Sequence, residues 1–460
     1  MSGRYGKVPQ ARLSRLGALG QMAGGVAAGA VGEGMRRFAR GERPGMSDLL
    51  LTPGNARRIT DQLSRMRGAA MKLGQMISLD AGDVLPEELT AVLARLREQA
   101  HVMPPKQLNQ VLVEAWGREW RQQFERFDVR PIAAASIGQV HRATLKSGQV
   151  LAVKVQYPGV AASIDADVDN VASLLRYSGL LPRGLNIGPL LEEAKRQLHE
   201  EADYLREAQQ MHRYRRHLKD DPRFIVPKPV DDMVRPEVLP MEFLTGASIE
   251  TLSEESQERR NEMCGALLEL VVRELFEFGY MQTDPNFANF KWRAEEGRIV
   301  LLDFGAARAV PEGTAEAYRR ILQTGLAEDF EGMKDALVEH GFVSGAQMQR
   351  HGSAVDRMIR IVLDQVAIGR RSDGLFDFAD RAFVDRLREA AAPLVADRES
   401  WHVPPATTLF VQRKISGTAL FCVRMRAKLS VIELAQRYAG EDAETARRRD
   451  FMTSNQEDVT

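Results

Sequence analysis

The stretch "GYMQTDPNFANFKW" occupies residues 279–292, and Asp303-Phe304-Gly305 begins eleven residues after it ends. Within it, Asn289 follows Asp284 by five positions. A phosphotransfer loop uses that spacing to place a proton-accepting Asp and a metal-holding Asn. The His-Arg pair that usually precedes the Asp is absent, and Gln282 and Thr283 stand in its place. Asp303 follows the apolar run "IVLL", as a metal-ligating Asp at a strand end does. Asp284 is therefore the candidate base or substrate-orienting acid, with Asn289 and Asp303 the candidate metal ligands.

A phosphotransfer loop requires partners upstream. "VLAVKV" puts Lys154 inside an apolar β run, where a lysine is costly unless it is paired. The lysine of a kinase third strand holds the α/β-phosphates and is tethered by a Glu from the following helix. The charged segment "GPLLEEAKRQLHEEADYLREAQQMHRYRRHL" reads as one long helix carrying Glu200, Glu201, Asp203 and Glu207. Glu207 is assigned to Lys154. On one helix Glu201 lies roughly 120° from Glu207 and is free for another partner.

Before Lys154, "PIAAASIGQVH" places Ala133, Ala134, Ala135 and Ser136 where a kinase carries a glycine-rich phosphate flap. Alanine allows close approach but forbids the positive-φ conformations open to glycine, which makes a stiffer loop. Glu242, Phe243 and Leu244, ahead of Thr245, complete the expected nucleotide-contacting set. After Gly305, "AARAVPEGTAEAYRRILQ" turns almost at once into a helix pattern. A long activation segment has little room there, which favours a small-molecule or intramolecular acceptor over a peptide.

The 460 residues carry no net charge, so bulk attraction to nucleic acid is not expected. The two cysteines, Cys264 and Cys422, lack metal-ligand spacing and point to a reducing compartment. The neutral total hides an asymmetry, because residues 1–60 carry a local net charge of +7. Inside that region Leu16–Gly32 is a charge-free, Gly/Ala-rich stretch of seventeen residues with arginines on both sides. As a helix it would reach roughly 26 Å, a little short of a hydrocarbon core. Two readings stand: a small-residue helix of a soluble protein, or a membrane-associating segment with basic flanks.

Five regions follow. Residues 1–44 are the basic Gly/Ala-rich segment, and 45–125 a helical extension with apolar residues at helical spacing from Ile59 to Ile77. Residues 126–245 form a β-rich lobe with a hairpin around Lys146-Ser147-Gly148. Residues 246–440 form a mostly helical lobe that bears the loop, and 441–460 are a polar tail. That order, an α+β chain with a small β lobe before a helical lobe, is the order of a protein-kinase-like two-lobed fold.

Together these residues resemble the UbiB/ADCK family of atypical kinases, also called aarF-domain kinases, over about residues 10–440. "MKLGQM" matches that family's Lys-x-Gly-Gln signature at Lys72, Gly74 and Gln75. "AAAS" matches its Ala-rich loop, and Glu201-Ala202-Asp203 its Glu-x-Asp motif. "QTDPNFANF" is similar to the loop of the mitochondrial coenzyme Q kinases, with Asn286 where the bacterial version commonly has His. "SIGQVH" and "VQYPGV" add to the match.

The resemblance implies an N-terminal helical extension packed over the active site, with Lys72, a candidate catalytic residue, meeting Glu201 or Asp203 in a regulatory role as well. It implies ATP (or ADP) and Mg²⁺ as cofactors, ATPase or kinase activity, and support of ubiquinone (coenzyme Q) biosynthesis. The expected partners are a membrane lipid or quinone precursor, other proteins of that pathway and a second copy of the chain. The expected place is the cytoplasmic face of a bacterial inner membrane, or the mitochondrion of a eukaryote. A nucleotide-switched lipid-binding scaffold and a protein kinase are the alternative readings.

Overall fold

A computed structural model describes residues 102–135, 137–177, 188–371, 374–397 and 406–440. The Leu16–Gly32 stretch, Lys72, Gly74, Gln75, Ser136, most of the helical extension and the polar tail lie outside the described residues. The chain divides into two units. The first takes residues up to Arg213 and Pro227–Leu244; the second takes Tyr214–Val226 and everything from Thr245 onward.

Helix α1, Pro105–Trp116, starts on a proline whose fixed φ suits a first turn. It buries Leu108, Val111 and Leu112, the i, i+3, i+4 stripe of one face. Strand β1 is Phe124–Phe127, β2 is Ala133–Ala134, β3 is Gly138–Leu145 and β4 is Val150–Gln156. The expected hairpin joins β3 to β4 in antiparallel register, with Thr144 facing Val150. Gly148 turns it at φ 85°, which a Cβ would disfavour. Helices α2 (Val160–Tyr177), α3 (Gly188–Glu201) and α4 (Tyr204–His217) follow, then β5 (Phe224–Ile225) and β6 (Val238–Glu242).

In the first unit the strand order is β1-β3-β4-β6, with β2 on β3. Alternation along β4 sends Leu151, Val153 and Val155 into a core with Trp120, Phe124, Leu108 and Leu112. The same alternation turns Lys154 and Gln156 to the opposite face.

The single long helix expected over 188–218 is two helices. α3 stops at Glu201 and α4 starts at Tyr204. Asp203 Oδ1 accepts from Arg206 N at 2.9 Å, the bond of a helix N-cap, where Asp is strongly favoured. Gln156 Nε2 donates to the Ala202 carbonyl at 2.7 Å and satisfies an acceptor the break leaves open. Charge pairing along the segment concealed a local cap.

The second unit adds β7 (Ala247–Ser248), α5 (Gln257–Phe276), β8 (Tyr280–Gln282), β9 (Phe290–Arg293), β10 (Arg298–Leu301) and β11 (Ala307–Ala309). Helices α6 (Glu312–Leu326), α7 (Phe330–Glu339) and α8 (Gly345–Arg371, kinked at His351) come next. Then come β12 (Phe376–Asp377), α9 (Ala382–Ala396), α10 (Ala406–Arg424), β13 (Lys428–Leu429) and α11 (Val431–Ala439). One sheet runs β5-β10-β9-β7, and β8 pairs with β11. β10 is the strand expected in the apolar run before Asp303, whereas β7, β8, β9 and β11 are too short to show a two-residue alternation. Cys264 and Cys422 are free and buried.

A charge cluster fastens β5 to α5 and α11. Arg223 donates to Asp221 Oδ2 at 2.8 Å and to Glu269 Oε2 at 2.6 Å, and Arg273 reaches Asp221 Oδ2 at 2.9 Å. Arg437 and the Tyr438 hydroxyl bond Glu269 Oε1 at 2.8 and 3.0 Å. Burial pushes the Asp221 and Glu269 carboxyls up, but the arginines outweigh it and hold both below their usual range. A depressed carboxyl stabilises the fold above its unfolded pKa and loses that contribution as pH falls through the folded value. Asp221→Asn should therefore cost about 2 kcal/mol at pH 7 and less near pH 3, below the unfolded carboxyl's value. Urea unfolding of both proteins at the two pH values measures the difference.

Candidate active site

The candidate residues form two groups, one in each unit. In the first unit, Lys154 Nζ lies 2.8 Å from Glu207 Oε1 and 2.9 Å from Oε2. Glu207 is 0% exposed and Lys154 8%, so both charges are withdrawn from water together. The Tyr204 ring lies 5.2 Å from the ammonium. The pair depends on the break described above: Asp203 starts α4, and Glu207 is in its first turn. Asp203 itself is exposed and its carboxylate caps α4, while Glu201 is half-buried at the end of α3.

Ala133 and Ala134 lie on β2, Ala133 opposite Val140 and Ala134 opposite Gln139. Ala135 N donates to Gly138 O at 2.9 Å. Gly138 is required where it stands, because a Cβ there would lie 2.3 Å from the Val155 carbonyl oxygen. Glu242 ends β6 opposite Leu151, and Phe243 N donates to Val150 O at 3.1 Å. The Arg142 guanidinium lies 5.1 Å from the Phe243 ring, and Leu244 is half-buried.

In the second unit, two ladders set the loop. β9 and β10 are antiparallel with Phe290 opposite Leu301, and Leu302 N donates to Asn289 O at 2.9 Å. Asn289 and Asp303 thus stand together at the open end of one hairpin and line the same small cavity. β8 and β11 pair Gln282 with Ala307. Thr283 Oγ1 donates to Ala306 O at 2.9 Å, tying the start of the loop to the residue after Gly305. Asp284 Oδ1 accepts from Asn286 N at 3.2 Å, and Asp303 Oδ1 from Gly305 N at 3.0 Å. These short self-bonds fix the turns that carry both carboxylates. Phe304 is buried, with its ring 4.9 Å from that of Tyr214.

Asn289 Nδ2 is buried without a hydrogen-bond partner. A half-turn of the carboxamide puts its oxygen at that position. One carboxamide and one carboxylate, both hard oxygen donors, suit Mg²⁺, which takes few protein ligands and completes its shell with phosphates and water. Among the described residues no cluster of three His, Cys, Asp or Glu could hold a metal by itself. The site fits a metal that arrives with its substrate.

Sequence reading missed the polar groups beneath the loop. Glu274, 0% exposed, accepts at Oε1 from the Tyr214 hydroxyl at 2.6 Å and from Gln282 N at 3.2 Å. Lys414, buried on α10, donates to Gln282 Oε1 at 3.2 Å and lies 3.8 Å from Glu274 Oε2. Burial pushes the Glu274 carboxyl up, against the pull of Lys414, the Tyr214 hydroxyl and the Gln282 amide. A signal was present: Glu274 lies four residues after Leu270 and three after Val271 on the buried stripe of α5. Lys414 likewise follows Phe410 and Val411 on the buried stripe of α10. A charge on an apolar stripe asks for a partner.

Residues 95–337 match the family model of the ABC1 atypical kinase-like domain. The chain is 38% identical over 428 residues to "Atypical kinase COQ8, mitochondrial" of Saccharomyces cerevisiae, covering 93% of this chain and 84% of that one. It is 36% identical over 428 residues to "Atypical kinase COQ8B, mitochondrial" of Danio rerio, covering 92% and 68%. The structure of Rv3197 with erythromycin from Mycobacterium tuberculosis shares the fold, with a TM-score of 0.58 at 24% identity over 83% of this chain and 95% of that one.

Glu207→Gln would leave the Lys154 ammonium buried without its counter-charge. The expected loss is about 3–5 kcal/mol of stability, with most of it recovered in Lys154→Met/Glu207→Gln, where no lone charge remains. Urea denaturation of the two variants beside the parent is the measurement.

Proposed function

The chain belongs to the ABC1 atypical kinase-like family, and from that premise we propose that it binds Mg-ATP (or Mg-ADP) and cleaves or transfers the terminal phosphoryl group in support of ubiquinone biosynthesis at a membrane. The observation that carries this reading is the hairpin that brings Asp303 to one cavity with Asn289, itself five residues after Asp284. Phosphoryl transfer needs little covalent chemistry from a protein; it needs placed charges.

Lys154, held by Glu207, is the donor for phosphate oxygens, and the alanine loop of Ala133, Ala134, Ala135 and Ser136 is a further proposed nucleotide contact. Glu242, Phe243 and Leu244 are the proposed contacts for the rest of the nucleotide. Asn289 and Asp303 would hold Mg²⁺, which when bound neutralises charge on the phosphates. Asp284 orients the attacking hydroxyl or water and accepts its proton. Lys72, Gly74, Gln75, Glu201 and Asp203 are the proposed regulatory set.

The acceptor is proposed to be a small molecule or the chain itself. In support, only Ala306 separates Gly305 from β11, and α6 begins at Glu312. The quinone role draws on the COQ8 names of the relatives and on the motifs of the loop. Those names also carry the word mitochondrial. Among the described residues no helix is long and apolar enough to cross a membrane. Membrane association is proposed through the basic segment of residues 1–44, with its charge-free stretch Leu16–Gly32. Pathway proteins and a second copy of the chain remain the proposed protein partners, and nucleic acid is not one.

Full-length protein with Mg-ATP should release phosphate, and faster with anionic liposomes than without. Asp303→Asn should lose the magnesium-dependent part of the nucleotide thermal shift and lower turnover about 100-fold or more. Nucleotide binding without phosphate release would favour the scaffold reading. An undiminished shift in Asp303→Asn would remove that residue from the metal role.

A further inference from the structure

The loop around Asp284 lacks the usual His-Arg, and the Asn286 amide closes its turn on Asp284 Oδ1 at 3.2 Å. Three residues of α10 touch the loop on both sides of it. Lys414 Nζ donates to the Gln282 side chain at 3.2 Å, two residues before Asp284. Gly417 meets Pro285, the residue after it; a Cβ on Gly417 would sit 2.3 Å from Pro285 Cβ and 2.6 Å from its Cγ. The Phe421 and Phe287 rings pack edge to face at 5.1 Å. Positions 414, 417 and 421 are i, i+3 and i+7, one stripe of a helix.

A fourth contact holds the same strand end from α5. Gln282 N donates to Glu274 Oε1 at 3.2 Å, and that oxygen also accepts from the Tyr214 hydroxyl. Gln282 is thus gripped at its backbone by Glu274 and at its side chain by Lys414. The α10 helix lies beyond residues 95–337, so the family match assigns it no part.

We infer that the Lys414–Gly417–Phe421 face of α10 is the platform that positions Asp284, and that Lys414 and Gly417 are positioning residues for phosphoryl chemistry. The inference rests on the reading of Asp284 as the group that orients the attacking oxygen. The platform does the work of the absent His-Arg by pressing on the loop from a helix face. Gly417 is the sharper probe, because alanine favours a helix interior over glycine. A loss at that position therefore comes from displacing Pro285 rather than from weakening α10.

The test uses full-length protein, Mg-ATP and phosphate release well below the unfolding temperature. Gly417→Ala should lower kcat about 10- to 100-fold, the penalty of moving a reacting group by a fraction of its contact distance. The nucleotide dissociation constant should stay within about twofold, since Lys154 and Asp303 are untouched. In a Pro285→Gly background the same substitution should cause little further loss, because the contact it disturbs is gone.

Lys414→Met is made together with Glu274→Gln so that no lone charge is buried. That pair should also keep nucleotide affinity and lose kcat about tenfold, and it decides the matter should Gly417→Ala fail to fold. Unchanged kcat in either folded variant would overturn the inference. So would kcat and affinity falling together in step with the folded fraction. Asp284→Asn serves as the control: if it is inactive while Gly417→Ala is unaffected, the platform alone is wrong. If Asp284→Asn keeps its turnover, the reading of Asp284 falls and the platform with it.

Discussion

A charge withdrawn from water needs an opposite charge beside it, and each unit of this protein is arranged around one such pair. Among the described residues the buried lysines are Lys154 and Lys414, and the buried glutamates are Glu207 and Glu274. Each lysine has its glutamate within its own unit: Lys154 at 2.8 Å from Glu207, Lys414 at 3.8 Å from Glu274. Desolvating any of the four alone would cost several kcal/mol, so the elements that carry them have little freedom to move apart. In the first unit that requirement fixes β4 against the first turn of α4. In the second it fixes α5 against α10.

The two pairs differ in what they bring with them. Lys154 and Glu207 bond directly, the ammonium donating to both carboxylate oxygens. Lys414 and Glu274 are held farther apart, and Gln282 fills the space between them with one donor and one acceptor. That difference turns a simple counter-charge into a clamp on the end of β8, just before Thr283 and Asp284. Thr283 then closes the other side through Ala306, so the loop and the Asp303-Phe304-Gly305 turn share one scaffold.

Small residues complete the arrangement where a side chain would not fit. Gly138 lets β3 approach β4 at the Val155 carbonyl, and Gly417 lets α10 approach Pro285. Both lie next to candidate site residues. Close backbone approach is the service that glycine renders, and its loss of chain entropy is offset where a site gains rigidity from the contact.

The sequence by itself determined the fold class and the hairpin at Gly148, and it carries the order and spacing on which the proposed phosphotransfer site rests. Those features are local: turn chemistry, strand alternation and five-residue spacing survive in one dimension. Charge pairing alone ran α3 and α4 together, because the Asp203 cap competes with a helix that its neighbours favour. The grip of Glu274 and Lys414 on Gln282 was decided only by tertiary structure. Lys414 lies 132 positions from Gln282, and no periodicity tells a buried lysine which distant acceptor will compensate it. Sequence shows that a charge on an apolar stripe must find a partner; only packing, which sets which stripes face one another, decides which one.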